Sequence, residues 1–363
     1  MQVLLPKESL SFKEKVESFT NDYLKDKKEI NLKDFWKSLY KKEFINFNSS
    51  FLQNILLTQA ICKIKPGIGL FLLTQFGCIE ILKAHGNKEI KENYLNKLLS
   101  GEHIGCFSIT EPNAGSDVTM IETTAKNDNE NWIINGHKIW ASNGSISDII
   151  ITFAQTKEHK DKSGITCFII PSSDLQILPD TPKLGVKTTP SNEIIIKNLK
   201  VNNNNMIGNI GDGIKIALGA ITLGRIFCAA QAVGLLEGCL EEAIKHSTKR
   251  NQFGKSISEN QAIQWYLADM TKDLDAATLL LYKAIWSQEN NTNELQKLSS
   301  MAKYFSTSVA AKHANKAVQI LGGKGLIDDS YIANAYRDSK VLEIYEGTNE
   351  IQKIILSREL SLK

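Results

Sequence analysis

Proline is scarce in this chain, seven in 363 residues, and no apolar run approaches the ~18 residues that a membrane-spanning helix needs. A membrane partner is therefore not expected. The opening Met1-Gln-Val-Leu-Leu-Pro-Lys-Glu turns charged too early for a secretory leader, which points to a cytoplasmic protein. Charge of one sign is lacking as well. The 43 Lys and Arg against 40 Asp and Glu leave a net charge of only +3, far from the basic excess that nucleic-acid binding uses. The six cysteines, Cys62, Cys78, Cys106, Cys167, Cys228 and Cys239, include no C-x-x-C pair and have no histidine partners at metal-ligand spacing. Neither a disulfide framework nor a metal site is expected, and they read as small apolar residues in a reducing compartment. A G-x-G-x-x-G after a strand is missing too. Gly323-Lys-Gly325 follows a helical stretch, so a Rossmann cradle does not fit.

What is present falls into three textures. From Ser11 to about Leu99 apolar residues recur three and four apart, with breaks near Asn46-Phe-Asn-Ser-Ser50 and Pro66-Gly67, the pattern of helices. From Cys106 to Ile207 short alternating apolar runs are separated by Gly, Asn and Pro, the pattern of strands. Asn135-Gly136, between Trp132-Ile-Ile and His137-Lys-Ile-Trp140, predicts a two-residue hairpin turn because both residues accept positive φ. From about Gly211 helical spacing returns. Ile226, Ala229, Val233, Leu236, Leu240 and Ala243 form the seam of a first bundle helix, and Ser258 to Gln288, Asn293 to Leu321 and Ser339 to Leu360 supply three more. The expected fold is α+β, with an all-α N-terminal domain (1–104), a barrel-like central β-sheet domain (105–208) and a C-terminal four-helix bundle (209–363).

One segment stands out, Glu343-Ile-Tyr-Glu346-Gly-Thr-Asn-Glu350-Ile-Gln-Lys353, which sets a carboxylate beside a Gly-Thr pair at the mouth of an apolar helix. Glu346 is a candidate base. Taken alone it also reads as a solvated carboxylate favoured by the helix dipole. Four other segments accompany it: Phe107-Ser-Ile-Thr-Glu-Pro-Asn-Ala-Gly-Ser-Asp117, Trp132-Ile-Ile-Asn-Gly-His-Lys-Ile-Trp140, Arg250-Asn-Gln-Phe-Gly254 and Gln319-Ile-Leu-Gly-Gly323. Alone, each has a plainer reading: Trp132 and Trp140 as β-core aromatics, Arg250 as a surface cation, Gly322-Gly323 as a helix C-cap. As an ordered set, from about Gly101 to Arg358, the five resemble the motifs of the acyl-CoA dehydrogenase family.

Removing hydrogens from the α and β carbons of an acyl thioester needs a base for one and a hydride acceptor for the other, and no side chain accepts hydride. The resemblance implies that FAD does so, lying between the β domain and the bundle with its adenosine end completed by a neighbouring subunit. Carried over residue by residue, Phe107, Ile109, Thr110 and Ser116 match positions lining the flavin. Trp140 and Ser142 match the segment beside its ring, where Ser142 would hydrogen-bond the N5 edge. Arg250, Phe253, Gln319, Gly322 and Gly323 match residues that reach the partner subunit's FAD, and Thr348 and Glu350 match a further adenosine contact. On the substrate side, Arg225 matches a contact to the pantetheine arm, Ser116 one near the thioester, and Tyr345 and Gly347 flank the base. Some family members place the base just before the arginine of the first bundle helix. Here Gly224 occupies that position, which leaves Glu346.

The chain departs from the family between Ser38 and Gln53, where a loop between the second and third helices is absent, and at Leu326, Lys187 and Tyr331-Ile-Ala-Asn334. Gln75 and Glu80 lie on the helix that walls the acyl tail in the family, or else face solvent and other helices. Arg337-Asp338 read as a structural ion pair. Three functions remain: an acyl-CoA dehydrogenase passing electrons to an electron-transfer flavoprotein, a biosynthetic dehydrogenase acting on an acyl or aminoacyl group tethered to a carrier protein, and a non-catalytic flavin-binding relative. The first is favoured, and an intact base and N5 donor argue against the last. Ala-rich and Gly-rich bundle faces and a shared FAD imply a homodimer or homotetramer.

Overall fold

The computed structural model describes residues 5–25, 27, 29–157 and 162–360. Helices α1 (Lys7–Leu24), α2 (Leu32–Lys41), α3 (Phe51–Ile64) and α4 (Gly69–His85) come first, then the short α5 (Lys88–Ile90) and α6 (Asn96–Ser100), joined by a π turn at Lys91–Leu95. The foreseen breaks are real. Ser50 starts α3 with a capping box to Gln53, and Pro66 opens the turn between α3 and α4, where its missing N–H costs nothing.

Eight strands follow: β1 (Gly105–Ser108), β2 (Thr124–Asp128), β3 (Asn131–Ser142), β4 (Ile149–Gln155), β5 (Ile165–Pro171), β6 (Gln176–Asp180), β7 (Ser191–Asn202) and β8 (Met206–Ile207). Their order is β6-β7-β3-β1-β4-β5-β8, and β2 pairs with both β3 and β4. Because β1 also pairs with both, the ladder closes on itself through β1-β3-β2-β4, which gives the sheet its barrel-like part. Every residue of β4 is buried. Ile149, Ile151 and Phe153 pack towards the helices, while Ile150 and Ala154 fill the sheet's other face with Trp132, Ile134 and Phe168, as the two-residue period requires.

The hairpin expected at Asn135-Gly136 is not there. Strand β3 runs unbroken through both residues, and its turn from β2 falls instead at Asn129, which has φ +56°. Gly136 sits at a register shift between β3 and β7, and a Cβ there would overlap the Thr123 side chain. The glycine serves a close approach at a bulge rather than a turn.

Helix α7 (Gly213–Lys249) opens the bundle. A small hairpin, β9 (Asn251–Gln252) and β10 (Lys255–Ser256), leads to α8 (Gln261–Glu289), α9 (Leu295–Leu321), α10 (Tyr331–Leu342) and α11 (Asn349–Glu359). The seam residues of α7 are buried apart from half-buried Leu240, but burial is wider than a seam: every residue from Gly224 to Cys239 is inside. Helices α3 and α4 cover one side of α7, and α8, α9 and α10 cover the rest, so the N-terminal helices and the bundle share one core. By length and composition α7 and the segment Pro66–His85 could cross a membrane. Both are mostly buried here, and their apolar surface is used inside the protein. The helix expected over Ser339 to Leu360 is interrupted between Leu342 and Asn349, and Glu346 lies in the interruption.

Candidate active site

Two consecutive left-handed residues, Glu346 at φ +58° and Gly347 at φ +82°, turn the chain between α10 and α11. A non-glycine residue holds that conformation only where its surroundings over-determine it. Here they do. From α9 the Lys303 ammonium donates to Glu343 O at 3.0 Å, Gly347 O at 2.9 Å and Asn349 Oδ1 at 2.9 Å. From α11 the Gln352 amide donates to Glu346 O at 3.2 Å and Gly347 O at 2.8 Å. Thr348 then restarts the helix as its N-cap, accepting from Ile351 N.

The Glu346 side chain lies against α7. A Cβ added at Gly224 would overlap its carboxylate, so only glycine leaves room for it. Beside Gly224, Arg225 is buried, its Nε without a partner among the described residues and its Nη1 only 3.5 Å from Ser300 Oγ. No hydrogen bond reaches the Glu346 carboxylate oxygens among the described residues, and burial pushes the carboxyl up to about 7, against the opposing pull of Arg225 and Lys303. That is the range in which a carboxylate serves as a base near neutrality. Tyr345 completes the wall: its hydroxyl donates to Gln231 Oε1, and Gln231 Nε2 donates to Pro66 O at 2.8 Å. The structure thus brings Glu346, Arg225, Tyr345 and Gly347 together.

A second group lies on the sheet. Phe107 and Ser142 are register partners across β1 and β3, and Ile139 N donates to Thr110 O. The β3–β7 register skips Ile139 and Trp140, leaving Trp140 at φ +56° and 54% exposed. It is no core aromatic, whereas Trp132 is, edge-on to Phe168. Asn143 is also left-handed, at φ +66°. Ile109 is buried, Ser142 half-buried, and Ser116 exposed beside Asp117, which caps a short turn through Thr119 N. Sequence reasoning missed what holds this surface. Lys138, fully buried, donates to Glu111 Oε1 at 2.6 Å and Phe153 O at 2.8 Å, and Glu111 also accepts from Thr123 and Glu122. Both residues lie inside the quoted motifs, and a lysine alternating with apolar residues in a strand is the signal that could have found the pair.

The third group is remote. Arg250 ends α7, 25 residues beyond Arg225, or about 38 Å at 1.5 Å per residue. Phe253 is fully exposed at φ +53°, and Gln319, Gly322 and Gly323 are exposed at the end of α9, with Gly322 its C-cap at φ +58°. Arg250 also lines a hollow of about 620 Å³ with Lys245, His246, Lys249 and Lys324. Glu350 is exposed on α11.

Of two smaller expectations, the ion pair fails and Gln75 and Glu80 take the plainer of their two readings. Arg337 pairs with Asp328 at 2.8 Å, not with Asp338, whose buried carboxylate instead accepts from Val186 N at 2.6 Å. Gln75 is buried and braces the backbone, donating to Leu98 O and His103 O and accepting from Gly105 N, while Glu80 pairs with Lys83. Among the described residues all six cysteines are free and buried, and no cluster fit to hold a metal exists.

Family models for the N-terminal, middle and C-terminal domains of acyl-CoA dehydrogenases match residues 7–102, 106–199 and 211–361. An acyl-CoA dehydrogenase of Bacillus subtilis is 40% identical over 310 residues, covering 84% of this chain and 81% of its own. The butyryl-CoA dehydrogenase structure from Megasphaera elsdenii superposes with a TM-score of 0.93 at 30% identity over 100% of both chains. The prolyl acyl carrier protein oxidase AnaB does so with a TM-score of 0.93 at 28% identity, over 99% of this chain and 100% of that one. With a base-range carboxylate facing a buried arginine, and all three domain models matched, this chain belongs to the acyl-CoA dehydrogenase family of flavoprotein oxidoreductases acting on the CH–CH bond of acyl thioesters.

Proposed function

We propose that the protein converts a short acyl-CoA to its trans-2-enoyl thioester, with FAD as resident cofactor, Glu346 as base and an electron-transfer flavoprotein as acceptor. The observation that carries this is the Glu346 carboxylate, seated where Gly224 clears its space and raised to about 7 by burial. Ionised above that pH, it takes the α proton onto a carboxylate oxygen. Its own backbone N–H has no partner among the described residues and is the donor offered to the thioester oxygen, a contact typically worth ~3 kcal/mol as negative charge develops there. Arg225, with its free Nε, meets the pantetheine arm, Tyr345 and Gly347 shape the cleft beside the base, and Ser116 lies near the thioester.

The residues present fit FAD. Trp140, held out of the sheet at positive φ, offers an exposed ring face for stacking. Ser142, Thr110 and Ser116 offer hydroxyls, and Phe107 and Ile109 an apolar floor. When bound, FAD supplies the acceptor for the β hydrogen. Arg250 lies about 38 Å along α7 from Arg225, and Phe253, Gln319, Gly322 and Gly323 are exposed at that same end of the bundle. We assign them, with Thr348 and Glu350 nearer the loop, to adenosine and pyrophosphate contacts in a homodimer or homotetramer. The division into domains at 1–104, 105–208 and 209–363 belongs to the same proposal.

A second reading is kept because the carrier-protein oxidase matches this chain as well as the butyryl-CoA enzyme does: the acyl group is tethered to a carrier protein. Anaerobic titration of the FAD-loaded protein decides. Loss of visible flavin absorbance with butyryl-CoA is the expected result. Loss only with an acylated carrier protein would transfer the assignment to the second reading, and loss with neither would contradict both.

A further inference from the structure

We propose that Lys303 is a positioning residue for the reaction, its ammonium tying together the two ends of the loop that carries Glu346 and holding that carboxylate in a cationic field. The inference rests on the reading of Glu346 as the base, and concerns what aims and tunes it. Three lysines among the described residues are buried. Lys13 pairs with Glu237 at 2.7 Å and Lys138 with Glu111 at 2.6 Å, so each of these two lysines meets an anion. Lys303 does not. Its three hydrogen bonds all go to neutral oxygens, two of them backbone carbonyls on either side of Glu346. Burying an ammonium without a hydrogen-bonded carboxylate is costly, and a methionine would fill the same space in α9. The nearby opposing charges are those of Glu346 and Glu343, and burial otherwise depresses the lysine's own proton affinity.

The geometry shows what the charge accomplishes. Glu343 O precedes the left-handed pair, and Gly347 O and Asn349 follow it, so one ammonium fixes the span across which Glu346 reverses the chain. Asn349 is itself braced, accepting from Thr307 Oγ1 at 3.0 Å and donating to Ser308 Oγ at 3.2 Å. Position 303 therefore links α9 to the loop by geometry and to the carboxylate by charge.

The two contributions separate experimentally. In FAD-loaded Lys303→Met, the Glu346 carboxyl, followed by ¹³C NMR of Glu-labelled protein and identified by its loss in Glu346→Gln, is expected to titrate higher than in the native protein by about one pH unit. The acidic limb of the pH profile for flavin reduction by butyryl-CoA should move up with it, and the plateau rate should fall about tenfold or more, since loop misplacement weakens attack geometry. Lys303→Arg should bring the titration back. Asn349→Ala, which keeps the cation and removes one of its three tethers, should lower the plateau several-fold and leave the titration in place. An unmoved Glu346 titration in Lys303→Met overturns the electrostatic part. If that variant does not fold, an Asn349→Ala protein reducing flavin at the native rate overturns the proposal. The NMR arm needs no turnover, so a native protein inert to butyryl-CoA would contradict the reaction while the titration still decides the role of Lys303.

Discussion

The loop around Glu346 and the far end of the bundle both carry residues that the motifs single out, yet they are built in opposite ways. Around Glu346 the chain supplies everything: Lys303 and Gln352 hold the backbone, Gly224 clears the carboxylate, and Arg225 and Lys303 set its field. At the far end Arg250, Phe253, Gln319, Gly322 and Gly323 are exposed, and Phe253 holds an unfavourable φ with its ring wholly in solvent. The difference teaches that the loop carrying Glu346 is held by contacts within one chain, whereas the far-end residues are exposed, which fits their proposed place at a neighbouring subunit's FAD.

The largest effect should come from the Glu346 loop. Glu346→Gln is expected to retain FAD and lose about 10³ in the rate of flavin reduction by thioester, within the range for removing a catalytic base, measured by anaerobic stopped-flow. Gly224→Ala should cost about 10² through displacement of the carboxylate, with FAD content unchanged. A near-native rate would show that the Cβ is accommodated. Arg250→Ala tests the far end. It should weaken FAD binding about tenfold, as expected for loss of a charged hydrogen bond, while the Tm of the apoprotein stays native because Arg250 is exposed. A drop in apoprotein Tm would mark it as structural.

The smallest effect is on stability. Burial raises the Glu346 carboxyl from 4.5 to about 7, so the folded protein binds that proton more tightly than the unfolded chain. The group's contribution to stability is full below about 4.5 and is lost as pH rises through about 7. Glu346→Gln should therefore melt higher than the native protein at pH 8.5, with the gap closing as pH falls. A gap independent of pH would mean that the carboxylate is not desolvated.

Much of this was legible in the sequence where local pattern and tertiary demand agree. The helix breaks at Ser50 and Pro66 carry their own capping chemistry, the apolar runs between Cys106 and Ile207 fall on strands, and the family resemblance gave Glu346 and Arg225 roles at one site, where the fold sets them close enough to interact. The failures occur where packing overrides local preference. Asn135-Gly136 has the residues of a turn, but Thr123 requires a glycine at a bulge. The apolar spacing of the last helix runs straight through the Glu346 loop, because the break is imposed by Lys303 and Gln352 from other elements. Lys303 itself had a signal: with Ser299, Ala302, Ser306, Ala310 and Ala314 it falls on the buried stripe of α9, where a lysine calls for an explanation. Among the described residues the far-end side chains make no hydrogen bond or ion pair from which their role could be read.

The most direct test of the central claim is α-hydrogen exchange. The FAD-loaded protein would be incubated with butyryl-CoA in D₂O without an electron acceptor, and the recovered thioester analysed by mass spectrometry. Deuterium at the α carbon with the native protein, and none above background with Glu346→Gln, is the result predicted for Glu346 as the base. Equal incorporation by the two proteins, or none by the native one, would contradict it.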